Sequence, residues 1–289
     1  MRIWMFIFGF VDNFRSGRSA PPDPERARSV NPVGSSPLRT GVLTATEADA
    51  VASWADAIGS WPVGTHVWGQ YAEQITDRVA VCRTENVSAC HPGVAALVDG
   101  PLRDLAAGAL GEPAVAFKDK INYKHPGGAG FRPHQDRLAY PGVARVLSIL
   151  VAIDECTAES GCLWLAEGVD EPLPTDDRGV VRDDVVASLR WAPAELAAGD
   201  AVLLDGLAPH YSEANRGDRR RRVLVASYAP AAEHYSRDRY YSARAETMRR
   251  ASQEDGRFRI STLADFDGVE VAGESAASDR CTHPAVAEA

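Results

Sequence analysis

Between residues 114 and 228 the chain is broken into short apolar or alternating runs separated by turn clusters. AVAFKDKINYK (114–124) alternates, RVLSILVAI (145–153) is a β-rich apolar run, and DAVLLD (200–205) and RVLVASY (222–228) follow. HPGGAG, YPG and NRGD between them supply the residues that tight turns require. Upstream the period is helical. Thr44-Ala45-Thr46-Glu47 is a capping box ahead of Val51, Trp54, Ala55 and Ile58. A second helix is expected over 94–109, where Val94, Leu97, Val98, Leu102 and Leu105 repeat across an interruption at Gly100-Pro101. Helices first and short strands later predict a mainly β fold, a sandwich or barrel with helices packed outside.

The 289 residues suit one β-rich domain of about 200 to 250 residues with tails. Order is expected over 40–269. Residues 1–39, rich in Pro, Ser and Arg after residue 12, and the tail 270–289 are expected to be disordered. Ile3–Val11 is apolar but too short to span a membrane. It has only Arg2 before it, meets Asp12 at once and lacks a small-x-small cleavage site, so it reads as an extension, or a start placed too early, rather than a signal peptide. Five cysteines without a C-x-x-C fit no zinc spacing and suggest a reducing cytoplasm. A net charge of -9 argues against non-specific nucleic-acid binding.

Within GFRPHQDR (130–137), His134 and Asp136 are two apart, and in a strand such residues point to one face. His210, at the end of an expected strand, is the candidate third ligand. Two His and one carboxylate make the facial triad of non-heme Fe(II) oxygenases. Ser212, Asn215 and Arg221 follow His210 at offsets of two, five and eleven. After the NRGD turn the chain should return antiparallel, placing Arg221 beside the His210 strand, where an Arg can clamp a carboxylate bidentately and Ser212 can add a donor. Arg221 is favoured within the run 219–222, although Arg219 shares its parity and a one-residue slip selects Arg222; such a run also suits a solvated loop. Lys118, Lys120, Asn122 and Lys124 share a strand face; lysines there ordinarily mean solvent, and Asn122 is the better inward candidate. Arg132 and Arg137 flank the H-x-D triplet as substrate-contact or surface charges.

The HQD at 134–136, the H-x-S-x-x-N pattern with an Arg eleven after the His, and the intervening AIDECTAESGCLWLAEG resemble the phytanoyl-CoA dioxygenase family over roughly residues 65 to 245. FKDKINYKHPGGAGFRPHQD resembles 2-aminoethylphosphonate dioxygenases more closely, and its INYK also resembles ectoine hydroxylase. The resemblance implies a double-stranded β-helix (jelly-roll) core, with His134, Asp136 and His210 as catalytic ligands of Fe(II). It implies Arg221 and Ser212 on the 2-oxoglutarate carboxylate, Asn122 lining the cosubstrate, and Lys120 facing substrate; Lys118 stands where ectoine hydroxylase has Gln. It further implies O2-dependent hydroxylation of a small, anionic or zwitterionic molecule, of phosphonate, amino-acid or secondary-metabolite type, with release of succinate and CO2. Halogenating relatives have Gly where this chain keeps Asp136, which points away from halogenation. Arg137 replaces an expected small residue, so no particular substrate is carried over. The rival classes are an inactive jelly-roll scaffold and an oxygenase acting on a macromolecule.

Overall fold

The computed structural model describes residues 29–33, 36–39, 41–61, 69–255, 260–261, 263 and 265–271. Two strands, β1 (Ser29–Val33) and β2 (Ser36–Arg39), lie inside the segment expected to be unstructured, and correct that expectation. They pair with each other, and β2 adds to the edge of the main sheet. Their Pro- and Ser-rich sequence carries no strand signal. An open sheet edge, with its unpaired N–H and C=O groups, templates pairing whatever the side chains. Glu270 and Val271, which pair as strand with Glu73 and Ala72, likewise correct the start of the expected tail 270–289, and the remaining expectations, for 1–28, 34–35 and 272–289, fall outside the described residues.

Thr44 then starts α1 (Ala45–Gly59) through the expected capping box: its hydroxyl accepts from Glu47 N at 3.3 Å, and Glu47 Oε2 accepts from Thr44 N at 2.8 Å. After β3 (Gly69–Ile75) and β4 (Arg78–Glu85), the helical run at 94–109 forms two helices, α2 (Pro92–Val98) and α3 (Pro101–Leu110). Gly100 is the break, because a Cβ there would sit 2.5 Å from the Ala96 carbonyl oxygen. Pro101 then opens α3, where its missing N–H costs nothing.

The expected strands form as β5 (Ala114–Lys124), β7 (Leu147–Ala152), β10 (Ala201–Asp205) and β12 (Arg221–Pro230). Between them are shorter elements with little sequence signal: β6 (Phe131–His134), β8 (Leu163–Ala166), α4 (Asp183–Val186), β9 (Trp191–Ala194) and β11 (His210–Ser212). Helix α5 (Arg237–Asp255) and β13 (Val269–Val271) end the described chain. All pairings are antiparallel, in a nine-stranded sheet of order β1-β2-β10-β7-β12-β5-β4-β3-β13 and a four-stranded sheet of order β6-β11-β8-β9.

The two faces of the large sheet bury different partners. Ile149, Leu203, Leu224 and Tyr228 pack with Ile58, Leu97 and Leu102 of the helices. Leu150, Val202, Val223 and Val225 pack with Leu165, Ala194 and Leu196 of the small sheet and its flank. Burial on both sides explains why β12 is buried along its whole length, and why its sequence reads as a continuous apolar run. Two facing antiparallel sheets with helices covering the larger one make the expected jelly roll. Among the described residues no helix is long and apolar enough to cross a membrane. Cys82, Cys156 and Cys162 are free and buried.

Arg222 belongs to the helix-facing side. Its Nε and Nη2 donate to the Asp154 carboxylate at 2.8 and 2.7 Å, and its Nη1 donates to Ala52 O and Asp56 Oδ1 at 2.9 and 3.0 Å. It fastens β12 to α1. Arg222→Ala is expected to cost about 2–3 kcal/mol, toward the low end for a broken buried pair because Asp56 is half exposed. Thermal unfolding should show the midpoint falling by several degrees, with cosubstrate affinity unchanged.

Candidate metal centre and its cavity

Strand ends place both histidines. His134 closes β6 and His210 opens β11, and the antiparallel register sets them directly opposite, with ring centroids 4.2 Å apart. Asp136 is not on the strand. The chain leaves β6 at Gln135 and enters a 3-10 turn, Asp136–Ala139, so the two-residue periodicity of a strand does not explain how the pair converges. Gln135 holds that turn: its buried amide donates to Glu171 O at 2.8 Å and to Leu207 O, and accepts from Leu173 N at 2.8 Å. The Asp136 carboxylate comes to 3.8 Å from His134 Nε2, and one donor atom from each of the three residues lies within 4.8 Å of the others.

The protonation states suit metal binding. His134 Nδ1 faces the Arg132 carbonyl at 2.7 Å and His210 Nδ1 faces the Ala208 carbonyl at 3.0 Å. A carbonyl only accepts, so each Nδ1 carries a proton, which leaves Nε2 as the nitrogen through which each ring can ligate. Burial, reinforced by the His134 ring, lowers the His210 pKa to about 4, so it is neutral near pH 7. Burial alone would raise Asp136, but His210, then Lys120 and His134, hold its carboxyl well below the usual range. Two imidazoles that can ligate through Nε2 and an ionised carboxylate fit Fe(II) or a similar divalent ion.

The large sheet floors the cavity, and its register sorts the predicted residues. On the inner face Arg221 opposes Lys124; Val223 opposes Asn122, which opposes Arg83; Val225 opposes Lys120, which opposes Glu85; and Ser227 opposes Lys118. Lys118, Lys120, Asn122, Lys124, Ser212 and Arg221 all line the cavity that holds the three ligand candidates. Lys124 donates to Ser212 Oγ at 2.9 Å, beside Arg221. Arg221 is buried, donates through Nη2 to Gly161 O, and leaves Nε buried without a partner. Its neighbours serve elsewhere: Arg219 is exposed, Arg220 pairs with Asp56 and Arg222 with Asp154. Lys118 donates to the Tyr140 hydroxyl at 3.0 Å and lies over the Tyr140 and Tyr240 rings. Lys118 and Lys124 are thus buried, not solvated.

Arg132 and Arg137 do not line the cavity. A bulge in the β6–β11 pairing sets His210 opposite His134 but Ser212 opposite Phe131. The extra residue shifts the strand's parity, so Phe131 takes the cavity side and Arg132 loses it. Arg137 is spent on the loop after the turn, donating to Ala144 O and Tyr140 O, both at 3.1 Å. Asn215 shapes the NRGD turn, donating to Lys124 O and Arg219 O at 2.9 and 2.7 Å.

Among the cavity residues that had no place in the sequence reading are Arg83, Glu85 and Arg244. Arg83 donates to Asn122 Oδ1 at 3.0 Å and to Glu85 Oε1 at 3.3 Å, and Arg244 from α5 donates to Glu85 Oε2 at 2.7 Å. Burial opposes ionisation of Glu85, but Arg244, then Lys118 and Arg83, hold its carboxyl well below the usual range. The alternation of Arg83 and Glu85 along β4 is a signal that could have found them; Arg244, on a polar helix, gives none.

Comparison with known proteins agrees with this geometry. The model of the family described as phytanoyl-CoA dioxygenase matches residues 38–223. A methylphosphonate hydroxylase of Gimesia maris is 33% identical over 230 residues, 78% of this chain and 88% of its own. A 2-aminoethylphosphonate dioxygenase of an uncultured bacterium is 34% identical over 213 residues, 71% of this chain and 81% of its own. Among solved structures, EctD from S. alaskensis with 2-oxoglutarate and 5-hydroxyectoine shares the fold with a TM-score of 0.59 at 16% identity, over 91% of this chain and 90% of that one. The family match and the similarity, over most of the chain, to two proteins named as phosphonate oxygenases converge, and the chain belongs to the phytanoyl-CoA dioxygenase family of non-heme iron, 2-oxoglutarate-dependent dioxygenases.

Proposed function

We propose that this enzyme hydroxylates a C–H bond of a small organophosphonate or similar anion, with Fe(II) on His134, Asp136 and His210, consuming 2-oxoglutarate and O2 and releasing succinate and CO2. The observation that carries the proposal is a cavity with the three ligand candidates and two separate cationic ends. When bound, iron and cosubstrate supply the oxidising chemistry, and the chain supplies position, charge and exclusion of water.

The first end is Arg221 with Lys124 and Ser212. Arg221 Nε is a buried donor without an acceptor, a state that costs about 1–3 kcal/mol. The far carboxylate of 2-oxoglutarate supplies that acceptor, and the Ser212 hydroxyl, accepting from Lys124, still has its own hydrogen to donate.

The second end is Lys118 and Lys120. Arg83 and Arg244 share the single Glu85 carboxylate there, which leaves one net positive charge. Lys118 is held by a phenol and two rings, and Lys120 makes no hydrogen bond to a described residue. Burial, then the Arg83 and Lys118 charges, push the Lys120 ammonium well down. An anionic group on the substrate supplies the missing counter-charge, and the two relatives named as acting on phosphonates favour that chemistry.

The test is anaerobic addition of Fe(II) and 2-oxoglutarate to metal-free protein. A weak visible charge-transfer band is expected, lost in His134→Ala. Admitting O2 should then give succinate fastest with methyl- or 2-aminoethylphosphonate. A folded protein without the band would overturn the iron reading in favour of a scaffold. A clear preference for neutral substrates would overturn the anionic one.

A further inference from the structure

The two histidine ligand candidates are backed differently. His210 Nδ1 faces the Ala208 carbonyl, with no carboxylate beside it among the described residues. His134 Nδ1 faces the Arg132 carbonyl at 2.7 Å and, in addition, Asp265 Oδ2 at 3.3 Å. Asp265 comes from the segment between α5 and β13, beyond the end of the family match at residue 223.

Asp265 is buried, and among the described residues its carboxylate has no polar contact other than His134; Oδ1 is buried with no hydrogen-bond partner. Glu85, in the same cavity, shows how a carboxylate held for structure is kept: both of its oxygens receive an arginine. A half-satisfied buried carboxylate is a cost to the fold. The backbone nevertheless fixes it in place. Arg132 N donates to Asp265 O at 2.7 Å, Asp267 N donates to Gly130 O at 3.1 Å, and Phe266 bridges to Phe131 with ring centroids 5.0 Å apart. The segment is thereby tied to β6 and to the residue before it at Asp265 and at the two residues that follow, and the carboxylate is delivered to the one nitrogen of His134 that faces away from the metal position.

We infer that Asp265 is a positioning residue for the metal centre: its carboxylate shares the Nδ1 hydrogen of His134 with the Arg132 carbonyl, fixes the ring with Nε2 toward the ion, and strengthens that nitrogen as a donor. Carboxylate-backed histidines are a general means of orienting metal ligands, and losing the partner weakens metal binding about 10- to 100-fold. The inference rests on the iron reading above.

Titration of metal-free protein with Fe(II) alone, without oxygen, tests it independently of turnover. Asp265→Ala is expected to bind Fe(II) about 10- to 100-fold more weakly than the native protein, with Asp265→Asn in between because its amide oxygen still accepts. Metal-free unfolding midpoints of both variants should stay at or above native, since a poorly satisfied charge is removed. Asp267→Asn, on the same segment but away from His134, should bind iron as the native protein does. Affinity within twofold of native in Asp265→Ala overturns the inference. So does an equal loss in Asp267→Asn, or a midpoint that falls in step with affinity, either of which would make Asp265 a structural residue; Asp265→Asn keeps the test open should the alanine variant fail to fold. His210→Ala separates the two readings: if it binds Fe(II) as tightly as native, the iron site itself is wrong, whereas loss there with native affinity in Asp265→Ala removes Asp265 alone.

Discussion

Asp136→Ala is expected to lower turnover at least about 10³-fold, which corresponds to more than about 4 kcal/mol of transition-state stabilisation. Two effects act together. The donor set falls from three to two, leaving neutral imidazoles that hold a divalent ion poorly. The cavity also loses the one carboxylate whose charge faces both Lys120 and the two rings, so that end becomes more strongly cationic at the moment a metal cation must enter. The fold should tolerate the change, because Asp136 sits in a turn clamped by Gln135 rather than by its own carboxylate. Succinate release in the presence of a phosphonate is the measurement. A folded variant retaining more than a tenth of native succinate formation would count decisively against Asp136 as a ligand.

Arg221→Ala is expected to raise KM for 2-oxoglutarate about 30- to 1000-fold, the equivalent of roughly 2–4 kcal/mol, as for truncating one partner of a buried charge pair. Stability should change little, since Arg221 gives the fold one hydrogen bond, to Gly161 O, and leaves Nε unused. Arg221→Lys should not restore affinity, because a single ammonium cannot reproduce a planar two-pronged donor. Arg222→Ala is the built-in contrast: next in sequence and equally buried, it should lower the unfolding midpoint and leave KM alone. Unchanged KM in folded Arg221→Ala would mean that Lys124 and Ser212 hold the carboxylate without it.

The strongest strands were legible because each carries enough residues for a period to show. The eleven residues of β5 and the ten of β12 announce themselves, as does the capping box of α1. Strand β11, three residues long, cannot show a period, and β6 has four residues with a proline among them. The metal ligand candidates were legible as types and spacing, but not the means by which they meet. A cross-strand register aligns the histidines, and a turn, not a strand, returns Asp136 to them.

What the sequence by itself determined is local: which runs become strands, where helices start and break, and which His, Asp, Ser and Arg residues are candidates for binding a metal and a carboxylate. Choosing Arg221 over Arg222 belonged to the tertiary structure, because pairing of β12 with β5 sets which parity faces the cavity. The exclusion of Arg132 belonged to a bulge, which moves every following side chain to the other face. Burial of Lys118 and Lys124, against the solvent exposure that lysines on a strand face ordinarily mean, was decided by partners far along the chain, Tyr140 and Tyr240 for one and Ser212 for the other. Arg244 and Asp265 reach the site from more than a hundred residues past β5. Periodicity reports only on neighbours within a few residues, whereas these contacts are made by folding distant segments together.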